Sequence, residues 1–369
     1  MSEEIINQQE QLSETAAAEN TEKPDYRAGF KSVSLKLGLM IIFIFAFRGI
    51  RTIVVSLLAP ALADLDLTTA YIINTVISLI FLYVCPIVAT MLIFKMPMKK
   101  INETSYQKPK YFGRALGMFP ALYSMGIITN LLTMLISKPF KEPDMNESFN
   151  TVNDLTAPNM TCAVILFVQL AIIAPLVEEL WFRGIVLESL RPYGNGVAIF
   201  ISGLLFGLTH ANFAQFFYAT VLGICLGYVA VSTKSIIPTT VLHAMFNSVA
   251  ATLLLFLADK SVGDFLLDTT SGRQAVYTPA VVIYLILLVL MTLTIIIGLF
   301  MAISKFIKIK KYRVPKVQEE LSPAKRWGLF FSRVTVIIGL VLAADTFTFR
   351  FITNLIFKGI CAVFGITNN

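Results

Sequence analysis

Residues 159–189 read NMTCAVILFVQLAIIAPLVEELWFRGIVLES. No charged side chain occurs from Met160 to Val177, and then Glu178, Glu179 and Arg183 follow within six residues. Eighteen or so apolar residues, at ~1.5 Å of rise each, are enough to cross most of a ~30 Å hydrocarbon core. The same pattern recurs along the chain. Apolar stretches lie at 35–62, 70–94, 112–137, 159–189, 196–211, 213–232, 236–257, 276–303 and 327–344, with a weaker one at 351–366. The expected fold is all-α, a polytopic transmembrane helical bundle of about nine spans.

Composition agrees. Hydrophobic residues make up 56% of the 369 residues and charged residues 14%, at a mean hydropathy of +0.74. Soluble domains carry roughly a quarter charged residues. The net charge of +7 is not a nucleic-acid signal, because the basic residues sit beside the spans. Lys95, Lys99, Lys100, Lys108, Lys110 and Arg114 fall in the 95–114 connection, and eight more lysines and arginines in 304–326. The 63–69 loop carries Asp64 and Asp66 and no base. By the positive-inside rule, nine spans with a cytoplasmic N-terminus put these loops on their expected sides. The partner this implies is the lipid bilayer, and the expected location is a bacterial plasma membrane.

Residues 1–30 are polar and read as a disordered cytoplasmic tail. The expected division is 31–158 for the first three spans, 159–257 for a core of four, and 258–369 for the remainder. Cys85, Cys162, Cys225 and Cys361 all lie in apolar segments and read as small buried hydrophobes. Arg48 and Arg51 fall near the middle of the first span. They predict either a shorter or broken helix with snorkelling side chains, or a cationic pair that meets an acid or a substrate carboxylate.

Three segments carry chemistry. On a helix Glu179 and Arg183 are i,i+4 neighbours and can pair, whereas Glu178 is turned about 100° away and left without a local partner. Pro175 frees a backbone carbonyl one turn back. His210 ends the run Phe206-Gly-Leu-Thr-His210, on a span where Gly203 and Gly207 stand four apart, as do Gly223 and Gly227 on the next, a spacing that permits close approach. Its span is expected to stop short, with the Ala211–Asn212–Phe213 turn held inside the protein. His243 and Asn247 share a helix face and offer two hydrogen-bond donors to one point, which suits an oxyanion. His210 and His243 are the chain's only histidines, and ionisable groups at membrane depth are costly enough to mark function. A packing network is the competing reading for each segment alone. There is no HExxH zinc helix and no soluble triad pattern.

In order, EExxxR (Glu178, Glu179, Arg183), FxxxH (Phe206, His210) and HxxxN (His243, Asn247) resemble the CPBP family of intramembrane proteases, also called the CAAX protease, bacteriocin-processing or Abi family. The resemblance covers about residues 159–257. It implies an endopeptidase acting on a membrane-associated protein or peptide, with or without a lipid anchor. Carried over, Glu178 is the general base that activates water, assisted by His210. His243 and Asn247 form the oxyanion hole, and Glu179 and Arg183 hold the site in shape. Two accounts of the cofactor stay open: a metal-free glutamate–histidine site, or Glu178, His210 and His243 as a zinc set with an open position for water. The alternative function is a non-catalytic membrane protein of bacteriocin self-immunity or transport.

Overall fold

The computed structural model describes residues 26–137, 157, 159–307 and 322–348. All regular structure among them is helical. The first 25 residues of the expected tail and the weak apolar stretch 351–366 lie outside the described residues. The chain enters the described region as α1 (Tyr26–Ala63), followed by α2 (Leu67–Phe94), a short α3 (Met98–Ser105), α4 (Phe112–Leu116) and α5 (Phe119–Ser137). Next come α6 (Met160–Tyr193), α7 (Asn195–Thr209), α8 (Phe213–Thr233), α9 (Ile237–Leu257) and α10 (Lys260–Thr270). The last are α11 (Pro279–Ile307), α12 (Pro323–Phe331) and α13 (Val334–Thr348).

Seven of these helices are long and apolar enough to cross a membrane, or eight if the bent α12–α13 pair is one span. Two of the nine expected spans differ. The 196–211 stretch folds as the 15-residue α7, about 22 Å long, which falls short of the hydrocarbon thickness. The 327–344 stretch is not straight: helices at 324–331 and 334–343 meet at 74°. Apolar side chains such as Leu92 and Phe300, 73% and 70% exposed, cover the outside of the bundle, as a lipid-facing surface requires.

The first span is also corrected. It is one continuous 38-residue helix, neither short nor broken, and its arginines turn inward. Arg51 donates to Ser78 Oγ and, at 2.9 Å, to Asn74 Oδ1 on α2. Arg48 donates to the Thr209 carbonyl at the end of α7. A guanidinium this deep is satisfied inside the protein rather than at the interface.

Two proline positions shape the helices that carry the site. In α2 the residues Ile80–Val84 form a π-turn, closed by the Cys85 N–H on the Ile80 carbonyl, just before Pro86. In α6 the residues Gln169–Ile173 do the same, closed by Ala174 on Gln169, just before Pro175. A second wide-turned segment, Leu180–Leu187, contains Arg183. Such π-turns are rare and concentrate at functional sites. Thr90 Oγ1 accepts the Trp181 indole N–H at 3.0 Å, and this buried contact fixes α6 against α2.

The α7–α8 crossing is as close as the glycine pattern predicts. A Cβ on Gly203 would fall 2.6 Å from the Ile224 backbone nitrogen, and one on Gly223 only 2.8 Å from Gly203 Cα. Gly203→Leu is expected to push these helices apart. Overpacking of a tight contact costs about 1–3 kcal/mol or more, so the thermal midpoint of the purified protein should fall. An unchanged midpoint would contradict the tight crossing.

Candidate active site

Glu178 and Glu179 lie at the junction of the α-helical turn after Pro175 and the π-turned Leu180–Leu187. Glu179 is fully buried. Its Oε1 meets Arg183 Nη1 at 2.9 Å and His243 Nδ1 at 3.0 Å. Arg183, equally buried, also donates to the Gly223 carbonyl at 3.0 Å and lies 4.8 Å over the Phe206 ring. The expected pair therefore forms, and it has a third member the spacing does not reveal. Glu179 orients His243. A carboxylate accepts, so His243 Nδ1 carries the proton and Nε2 is the atom turned toward Glu178, 3.7 Å from its Oε2.

Glu178 keeps 14% of its side chain accessible. The partner it lacks on its own helix comes from α2: the Tyr83 hydroxyl donates to its Oε1 at 3.1 Å. Tyr83 stands within the π-turn that precedes Pro86. Nothing in the apolar pattern marks it. The only signal is a tyrosine within three residues of a mid-span proline.

His210 caps the short α7, which stops early as expected from the sequence. Ala211 takes the left-handed conformation (φ 54°) that ends the helix, and it is buried. Asn212 then caps α8 by accepting the Gln215 N–H at 2.7 Å. A non-glycine residue in that region carries strain of about 1–2 kcal/mol, held by its surroundings. The His210 Nδ1 lies 2.9 Å from the Phe206 carbonyl. A carbonyl only accepts, so this nitrogen carries the proton and Nε2 is left with its lone pair. Glu178, His243 and Arg48 all lie within electrostatic range of His210.

Phe206 is the hub of the arrangement. Its ring meets His210 at 5.0 Å, His243 at 5.4 Å and Phe182 at 5.3 Å, each edge-on. The i,i+4 spacing in FxxxH thus supplies both the carbonyl that fixes His210 and the aromatic wall between the two imidazoles.

Asn247 donates to the Leu170 carbonyl at 2.9 Å. In the wide turn of Gln169–Ile173 each carbonyl awaits the N–H five residues on, and for Leu170 that residue is Pro175, which has none. Asn247 fills the orphaned position. The freed carbonyl expected from Pro175 is real, and the amide of HxxxN answers it. One N–H of the amide is committed there and one remains.

The six sequence-selected residues are thus brought together from α6, α7 and α9, with Tyr83 from α2 and Arg48 from α1 added. Glu178 Oε2 and His243 Nε2 are spaced as two ligands of one ion, but among the described residues no group of three His, Cys, Asp or Glu side chains can hold a metal. His210 Nδ1 and His243 Nδ1 are both committed to protein acceptors. Cys85, Cys162 and Cys225 are free thiols.

Residues 160–249, which contain every motif above, match the family model described as type II CAAX prenyl endopeptidase Rce1-like. The chain carries a CAAX-protease-like domain over that stretch, on a larger membrane bundle. Neither a curated protein nor a solved structure matches the chain.

Proposed function

We propose that the protein is an intramembrane endopeptidase, with residues 159–257 as its catalytic core, hydrolysing a peptide bond of a membrane-associated protein or peptide. What carries the reading is the state of Glu178. It is a partly accessible carboxylate beside two imidazoles, held by Tyr83 and facing His243 Nε2, inside the segment that matches the CAAX endopeptidase model.

Glu178 takes a proton from a water molecule, and the hydroxide attacks the scissile carbonyl carbon. His210 helps to hold that water through Nε2. The carbonyl oxygen becomes an oxyanion and receives hydrogen bonds from His243 and from the remaining Asn247 N–H. For Nε2 of His243 to donate, the ring must be the imidazolium, because Nδ1–H is already given to Glu179. The Glu179 carboxylate balances that charge. Glu178 then passes its proton to the leaving amine as the tetrahedral intermediate collapses to acid and amine.

Tyr83 is a positioning residue in this scheme. Tyr83→Phe removes one hydrogen bond to a charged group, worth ~1.5–3 kcal/mol. The expected result is a fall in kcat of about tenfold or more with KM unchanged. A change in KM alone would assign the hydroxyl to substrate binding instead.

The test of the whole reading compares protein termini in membranes carrying wild type or Glu178→Ala at equal expression. New termini present only with wild type establish proteolysis and give the substrate and cut site. Identical termini, with both proteins inserted and folded, reject it in favour of a binding or immunity role.

A further inference from the structure

A cavity of about 1060 Å³ opens between α5, α8 and α11. It is large against the ~300–1,000 Å³ of ordinary small-molecule sites. Its body is apolar, walled by Met118, Leu122, Met125, Val221, Cys225 and Leu299. Its rim is not. Tyr111 and Arg114 stand at one end, with the Arg114 guanidinium 5.3 Å over the Tyr111 ring. Ser232 and Thr233, at the end of α8, face them. The Lys110 N–H donates to the Thr233 carbonyl at 3.0 Å, so Lys110 and Lys234 both flank this rim.

The geometry points to a discrete binding site for one anionic phospholipid, with an acyl chain in the apolar groove and the phosphate at Arg114. Charge complementarity selects this occupant. A zwitterionic lipid would fill the body equally well, but its own cation offsets what its phosphate gains from the basic rim, whereas basic pockets between transmembrane helices suit anionic head groups. The groove does not read as the seat of a substrate's own lipid. Leu122 and Val229 of the groove wall pack in one buried cluster with Leu222, Leu226 and Leu242, with Phe246 against it, and none of the catalytic candidates lines the groove. The site does not depend on the peptidase reading.

The test is native mass spectrometry of the full chain in neutral detergent, titrated with phosphatidylglycerol or with phosphatidylcholine of the same acyl chains. Wild type should retain one phosphatidylglycerol in preference. Arg114 is exposed and its loss leaves the packing intact, so Arg114→Gln should fold normally and weaken that retention about fivefold. Val221→Trp, or Met125→Trp if the first misfolds, should abolish the single bound lipid by filling the groove. Glu178→Gln should bind as wild type does. Equal retention of the two lipids, or a preference that survives Arg114→Gln, overturns the proposal. So does displacement of phosphatidylglycerol by a lipidated substrate peptide, which would make the groove the substrate's.

Discussion

Glu178→Gln is expected to leave a folded, inserted bundle and to lower turnover by about 10²–10⁴-fold, the range a positioned general base contributes. The amide is isosteric and can still accept from Tyr83, so the 3.1 Å bond and the packing around it survive. Only the capacity to take a proton is lost. The measurement is single-turnover cleavage of the substrate identified from the new termini, with wild type and variant at matched thermal midpoints. Retention of more than about a tenth of wild-type turnover, far above what removal of a general base permits, would move the base elsewhere, and His210 Nε2 would be the next candidate. His210→Ala should then be the larger loss. In the present scheme His210 only assists, and its effect is the smaller of the two.

That prediction rests on residues the sequence already singles out, because the cost of burying charge in a bilayer makes two glutamates and two histidines conspicuous. The pairing of Glu179 with Arg183 and the glycine crossing follow from helical spacing, and both are present. Contacts between helices are what the pattern cannot carry. Tyr83 and Glu178 are 95 residues apart, and Glu179 and His243 are 64 apart. Periodicity assigns a face to each helix but does not say which face meets which. The π-turns are hidden for a related reason. An extra residue in a turn shifts the face by about 100° without changing the composition of an apolar run. The snorkelling reading at the first span fails in the same way. Arg48 and Arg51 look like snorkelling side chains until α2 and the end of α7 are seen to offer them Asn74, Ser78 and the Thr209 carbonyl. Span counting errs where length alone misleads, at the 15-residue α7 and at the bent α12–α13 pair.

Arg183→Met should cost as much stability as truncating one of the large buried aromatic side chains. It leaves the Glu179 carboxylate fully buried with no guanidinium beside it, and breaking a buried pair from one side costs about 3–5 kcal/mol. The thermal midpoint in detergent is the readout. The double variant Glu179→Gln, Arg183→Met removes both charges and should recover part of the loss, since the isosteric amide can still accept from His243 Nδ1. Its turnover should stay low. A neutral amide does not balance an imidazolium, and without that charge His243 Nε2 cannot donate to the oxyanion. Stability and activity thus separate: charge removal on both sides repairs the fold, while the fold alone does not repair the site. If Arg183→Met is as stable as wild type, the buried ion pair does not hold this bundle together. If the double variant recovers turnover along with stability, Glu179 has no electrostatic part in the reaction, and its contact with His243 serves packing alone.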